Sequence, residues 1–383
     1  MLGILKANGT IRTHLIKHVD LIVLGAGLAG TAVAWNAHWR GWTIAIIDRA
    51  DSNSSSRVAA GLVTPITGSR AAASWRWSEF YPAANDFYRQ VEKRTGARMW
   101  HVEPALRLLR SEDEKQLYHS KWMDSGRTAE LDSIQVELSL GMEIRGLRTP
   151  YAICSFGPSA RLETLVYLTE SHRYFGCLDA FHGCDLNCDR DIDFAKNVEH
   201  PIQVPSLGLA GKRIVFCQGI GARENRFFME LPLHPARGDI LMVQSPGVHC
   251  DRVLHHNAWA VPIGHQRYLV GATYDRAPNQ FDGQPFQDKT PQFRAELMRR
   301  WEAMVEGTFS TGEHSVLEQR WAVRPASYDR HPLIGPHDVL PNVFCLNGLG
   351  SKGTLMAPRL ADMLLEAMQG APIDPGLLQS RRR

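Results

Sequence analysis

Val19-Asp20-Leu21-Ile22-Val23-Leu24-Gly25-Ala26-Gly27-Leu28-Ala29-Gly30 is the stretch that decides the fold of this chain. Its first six residues form a short, mostly apolar run, the pattern of a strand buried in a parallel sheet. The run opens directly into glycines. Leu28, Ala32, Trp35 and Trp39 then recur at helical spacing, and Gly41 stops that helix. Thr43 to Ile47 reads as a second strand, ending at Asp48. Strand, glycine turn, helix, strand and acid together predict a dinucleotide-binding unit. Gly25 permits the tight turn, Gly27 lets a pyrophosphate approach the backbone, and Gly30 lets helix and strand pack closely. The helix start, Leu28 and Ala29 behind Ala26, offers free N–H groups and a positive dipole end to phosphates. Asp48 stands where a ribose hydroxyl would bind. An acid there repels a 2′-phosphate, which disfavours NADP and leaves FAD and NAD open.

Working outward, Arg49 follows, then a polar stretch of small residues from Ser52 to Gly61 that includes Arg57. A plain NAD domain would turn to a helical crossover here; small residues instead allow close backbone approach to a large ligand. Trp77, Phe80, Tyr81, Ala84, Tyr88 and Val91 form an aromatic stripe at helical spacing, read as a core-facing helix. Pro150 to Gly157 reads as a strand, Ser159 to Tyr174 as a helix, and 176–205 as a solvated loop. Its acids Asp185, Asp189, Asp191 and Asp193 lack the register of a calcium loop. Ile214 to Cys217, opening into Gln218-Gly219-Ile220-Gly221, reads as a return to the nucleotide domain. From Leu231 onward strands follow in series, broken by a helix from Phe293 to Val305, which predicts a mainly antiparallel second layer.

The C-terminal part holds a second glycine cradle. The strand Asn342 to Leu346 opens into Asn347-Gly348-Leu349-Gly350-Ser351-Lys352-Gly353-Thr354, followed by a closing helix with Pro358 in its first turn or at a kink. Two cradles far apart in sequence suit a ligand as long as FAD; NAD needs one. The expected fold class is α/β plus α+β: a Rossmann-like FAD-binding domain split by a substrate domain on an antiparallel sheet. The expected boundaries are 1–18 for an N-terminal extension and 19–80, 153–228 and 328–370 for the FAD-binding domain. Residues 81–152 and 229–327 form the substrate domain, and 371–383 a tail.

Composition narrows the function classes. The chain has 383 residues, 44% hydrophobic and 22% charged, so it is too apolar for a disordered chain and long enough for two domains. Its net charge of +3 makes no field strong enough to imply nucleic acid or an anionic membrane as partner. The most apolar stretch, Leu21 to Trp35, is too short to span a bilayer. Seven cysteines without pairing symmetry read as reduced thiols in a cytoplasmic protein, and Cys184 and Cys188 lack a matching zinc pair, so no metal is expected. His255, His256 and His331 have no nucleophile or metal partner at suitable spacing and read as loop or core histidines. Trp259 and Tyr274 read as core packing, with the pocket wall as the alternative.

The motifs taken together resemble the D-amino-acid-oxidase-like family of FAD-dependent amine oxidoreductases, which includes glycine oxidase and sarcosine oxidase. They are Gly25-x-Gly27-x-x-Gly30 with Asp48, Val323-Arg324-Pro325 with His331-Pro332-Leu333-Ile334-Gly335, and Gly348-Leu349-Gly350-Ser351-Lys352-Gly353 with Ala357-Pro358. Ala236-Arg237-Gly238 and Val270-Gly271-Ala272-Thr273 extend the resemblance over nearly the whole chain. It implies FAD lying extended, held by the first turn, Asp48, Arg49, Arg57, Gly61, Gly219 and the 348–354 loop. It implies Arg324 as the group that pairs with a substrate carboxylate, and Lys352 beside the flavin. Ala322 stands where sarcosine oxidase carries its flavin-linking cysteine, so the FAD is expected to be non-covalent. The implied activity is oxidation of the C–N bond of a small carboxylate-bearing amine, with oxygen or another electron acceptor. The alternatives are oxidation of a carboxymethylamino group on a modified tRNA base, and a flavin-binding protein without turnover.

Overall fold

The computed structural model describes residues 16–123, 133–141, 143–194, 201–276 and 289–377. Most of the expected N-terminal extension, and the end of the tail, lie outside the described residues.

Two large sheets organise the chain. The first has seven strands. Phe181–Gly183, Ile44–Asp48, Lys17–Leu24, Leu209–Phe216 and Val343–Asn347 run parallel in that order, Leu333–Pro336 closes the sheet antiparallel, and Ile202–Val204 pairs antiparallel with the start of Leu209–Phe216. The opening strand Lys17–Leu24 is central, and its alternation explains why it reads as a continuous apolar run. Leu21 and Val23 pack into the core beneath the helices, while Ile22 and Leu24 pack into a second core on the other face. The helices Leu28–Trp39, Trp77–Thr95, Thr164–Cys177 and Gly353–Met368 cover the first of these faces. Trp35 is fully buried there and donates its indole N–H to Ser171 Oγ at 2.8 Å.

The second sheet has eight strands in the order Ser315–Arg324, Ala236–Gln244, Arg267–Gly271, Trp259–Pro262, Leu254–His255, Ala105–Leu109, Ala152–Gly157 and Gln135–Ser139. Every pairing but one, Leu254–His255 with Leu106 and Arg107, is antiparallel. The helix Thr290–Glu302 covers one face, with Leu297 and Trp301 in its core.

Several sequence expectations need correction. The boundary at 80/81 cuts the unbroken helix Trp77–Thr95, whose aromatic stripe packs in the core of the nucleotide layer. The boundary at 153 falls inside the strand Ala152–Gly157, which belongs to the eight-stranded sheet. The expected helix from Ser159 begins only at Thr164, because Ala160–Leu162 is a strand pairing with Leu62–Val63 and Trp100–Val102. The expected solvated loop 176–205 contains the edge strand Phe181–Gly183, the short helix Cys188–Asp191 and the strand Ile202–Val204. Local composition hides these because each short strand is stabilised by a partner distant in sequence. Pro358 sits in the second turn of the closing helix, beyond the first turn where proline is readily tolerated.

Candidate cofactor and substrate site

The glycine turn is built as a close-packed knot. Gly25 has φ +90°, open to glycine and strained for other residues. A Cβ on Gly30 would run into the Gly25 carbonyl oxygen, and one on Gly27 would meet Ser56 Oγ. Asp48 braces the turn as well as facing the ligand groove: its Oδ2 accepts from Ala26 N–H at 2.6 Å and its Oδ1 from Ala50 N–H at 2.7 Å. Ser56 Oγ accepts from Leu28 N–H at 3.0 Å, at the start of the first helix. Asn347 Nδ2 donates to the Gly219 carbonyl at 2.8 Å and so ties the second cradle to the channel wall at Gly219.

Two cavities run end to end from this turn. The larger, of about 600 Å³, extends from Asp48, Arg49 and Arg57 past Gly25, Ala26 and Gly27 to Gly219 and Ala322. The smaller, of about 160 Å³, continues from Gly27, Leu28 and Ala29 past Gly61 to Leu349, Gly350, Ser351, Gly353, Thr354 and Arg324. They share Gly27, Ser55, Ser56, Cys217, Gly219 and Ala322, so they form one channel.

The structure thus brings most of the expected cofactor residues to one channel. Gly30 and Gly348 stand behind its wall in packing roles, Gly348 with φ +73° against Leu333. Sequence reasoning missed several contributors and ranked one, Trp259, as core ahead of pocket wall. The hydroxyls of Ser55 and Ser56 were readable only as a polar run. Trp259, expected in the core, lines the smaller cavity with its ring against Gly271. Cys217 lines both cavities; burial raises its thiol pKa above its ordinary value. The segment Cys184 to Cys188 borders the larger cavity, carried there when Cys184 N–H bonds the Asp48 carbonyl at 2.9 Å. No sequence signal marks that contact.

Arg324 closes the far end. Its strand pairs Arg324 with Ala236, and its guanidinium rests over Gly238, where a Cβ would collide with it. Nη1 donates only long bonds, 3.4 Å to the Arg237 carbonyl and 3.3 Å to that of Thr273, and the group lies 5.5 Å from the Tyr274 ring centre. Burial lowers its pKa. The nearby carboxylate of Asp239 is already bound to Arg237 at 2.9 Å. Arg237 is itself stacked on Trp321, so no acid among the described residues forms an ion pair with Arg324.

Lys352 caps the closing helix, between residues that line the channel. Its ammonium donates to Ser74 Oγ at 3.3 Å, and burial lowers its pKa to about 8. The residue as a whole is half-buried. His255 is pushed down to about 3 by burial, then by the charges of Arg107 and Lys352, so it is neutral and no general acid. Arg70 is exposed, and His331 packs edge-on against Trp75. Among the described residues no cluster of His, Cys, Asp or Glu could hold a metal ion.

A parallel nucleotide sheet joined to an antiparallel layer, with a long channel between two glycine cradles, defines a flavin-dependent oxidoreductase. The chain belongs to the FAD dependent oxidoreductase family, whose model matches residues 20–367, and its cofactor is FAD. It is 25% identical to glycine oxidase of Bacillus licheniformis over 382 residues, covering 93% of this chain and 95% of that protein. It is 28% identical to the tRNA 5-methylaminomethyl-2-thiouridine biosynthesis bifunctional protein of Maricaulis maris, covering 93% of this chain but 54% of that protein. The fold matches glycine oxidase from Geobacillus kaustophilus with TM-score 0.72 at 16% identity, covering 96% and 99% of the two chains. It matches iminodiacetate oxidase from Chelativorans sp. BNC1 with TM-score 0.71 at 18% identity, covering 94% and 99%. Among the described residues no helix is long and apolar enough to cross a membrane.

Proposed function

We propose that this enzyme oxidises the C–N bond of a small amine bearing a carboxylate, an amino acid or N-substituted glycine. The observation that carries this reading is Arg324: a half-buried, partly desolvated guanidinium at the channel end, free of carboxylate partners among the described residues and held on two long backbone contacts. Desolvating a cation is costly unless a counter-charge offsets it, and a carboxylate from the substrate supplies that charge and a two-pronged hydrogen bond.

FAD, when bound, supplies the two-electron acceptor for the carbon next to the amine. Asp48 and the glycine turn around the larger cavity would hold the adenosine half, and the 350–354 segment lining the smaller one would hold the ring system. The residues of the chain orient. Arg324 fixes the carboxylate, Gly238 and Ala322 keep that wall low, and Trp259 forms a flat side of the chamber. Anchoring one end of a small substrate holds its adjacent C–H at a set position, which accounts for a site without a dedicated base. The names of the relatives, glycine oxidase and iminodiacetate oxidase, are consistent with amine-carboxylate substrates.

The test is anaerobic bleaching of the flavin by glycine and N-methylglycine against methylamine and dimethylamine at equal concentration. Faster reduction by the acids supports the reading. Equal or faster reduction by the simple amines overturns it, and no bleaching by any amine supports a flavin protein without turnover. A second reading, a carboxymethylamino group on a modified tRNA base, is favoured by the Maricaulis match and by two exposed tyrosines, Tyr274 under Arg276 and Tyr328 against the His234 ring. Adding the modified nucleoside to the panel separates it. The electron acceptor, oxygen or another, is read from reoxidation of the bleached enzyme in air.

A further inference from the structure

We propose that His172 is a positioning residue for the adenosine diphosphate half of FAD, acting through the Ala26 peptide. Ala26 is the middle residue of the first glycine turn, and both its backbone polar groups are engaged by side chains. Its N–H goes to Asp48 Oδ2 at 2.6 Å. Its carbonyl accepts from Thr31 Oγ1 at 3.0 Å and from His172 Nε2 at 2.9 Å. Thr31 and Asp48 belong to the same strand–turn–helix–strand unit as the turn and move with it. His172 comes from the helix Thr164–Cys177, on the far side of an inserted stretch of chain. Of the three partners it is the one that ties the turn to a separate element.

The ring is itself held. It stacks on Phe181 with centroids 4.6 Å apart and planes at 21°, and Phe181 opens the edge strand that pairs with Ile44–Asp48. A carbonyl can only accept, so the proton must sit on Nε2, which fixes the tautomer. Burial is the main influence on the imidazole and keeps it neutral; Asp48 and Arg57 are the charged groups that face it. Held this way, the Gly25–Ala26 and Ala26–Gly27 peptides on either side of Ala26 are both restrained, and the turn presents its groups to the diphosphate already ordered. Affinity gained by ordering a loop in advance is lost when the tether is cut. His172 touches no reacting atom, and its effect is confined to one end of the cofactor.

That confinement gives the test. The full-length chain is stripped of FAD, and its affinities for ADP, FAD and riboflavin are measured in wild type, His172→Phe and His172→Gln. Phenylalanine keeps the stack on Phe181 and removes the donor; glutamine restores a donor. The expected result is ADP and FAD binding weakened by about five- to twentyfold in His172→Phe, the scale of one lost buried hydrogen bond. Riboflavin, without the diphosphate, should weaken by less than about twofold, and His172→Gln should recover most of the ADP affinity. Unchanged ADP binding in His172→Phe, or equal weakening of riboflavin, overturns the proposal. If His172→Phe does not fold, His172→Leu, also without a donor, serves for the same comparison. These outcomes do not depend on which amine the enzyme oxidises.

Discussion

The Tyr88 hydroxyl donates to the Thr354 carbonyl at 2.9 Å, and Thr354 lies four residues before Pro358 in the closing helix. A helix bonds the N–H of each residue to the carbonyl four positions earlier. Proline has no N–H, so Pro358 leaves the Thr354 carbonyl without its helical donor, and a tyrosine from another helix takes its place. Burial raises the Tyr88 phenol pKa well above its ordinary value, so it remains a donor at any working pH.

Tyr88→Phe should therefore destabilise the protein by about 1–3 kcal/mol, the cost of orphaning a buried acceptor. In a Pro358→Ala background the same change should cost less, because the substituted alanine can supply the missing N–H. Denaturant melts of the two single variants and the double variant measure this as a coupling energy. Strict additivity would show that the hydroxyl does no such substitution.

Arg324→Ala should lower kcat/KM for carboxylate-bearing amines by about 10- to 100-fold, the effect of losing a charge-assisted bond of about 1.5–3 kcal/mol. Arg324→Lys should recover part, since an ammonium has the charge without the planar fork. Steady-state kinetics with an amino acid and with its matching simple amine check this: the loss should be confined to the acid.

Lys352 has a pKa lowered from 10.5 to about 8 by burial. Between those values the unfolded chain holds a proton that the native protein lacks, so stability rises with pH across that window. Lys352→Met removes the cost of burying the charge. Thermal melts of FAD-free protein should show the variant more stable than wild type by about 1–3 kcal/mol at pH 7, after allowance for partial solvent access. The difference should vanish near pH 10.5. A variant less stable at pH 7 would mean that the ammonium is stabilised by contacts other than Ser74.

Acid precipitation of the purified enzyme should leave FAD in the supernatant with none bound to the pellet. Ala322 lines both cavities and offers no nucleophile. Absorbance of the two fractions decides it. Yellow protein in the pellet would point to a linkage elsewhere, Cys184, Cys188 and Cys217 being thiols on the channel wall.

The nucleotide half was largely legible from residue order because its signals are local. The buried strand Lys17–Leu24, the turn through Gly30 and the strand ending at Asp48 follow one another directly along the chain, and each reports its own backbone needs. The loop from Gly348 to Gly353 was readable for the same reason. What tertiary structure decided was proximity. Cys184 reaches the cofactor channel because Phe181–Gly183 pairs at the edge of the parallel sheet. Trp259 left the expected core for the chamber wall because antiparallel pairing sets it against Gly271. The membership of Ala152–Gly157 in the eight-stranded sheet, and the misplaced boundary beside it, follow from partners that short strands acquire only on folding. The sequence by itself determined which backbone segments could cradle a dinucleotide, since glycine, alternation and helical spacing act within a few residues. Folding alone decided that Arg324 stands without an acid partner among the described residues while Asp239 is bound to Arg237, because burial and charge pairing depend on distances that residue order does not contain.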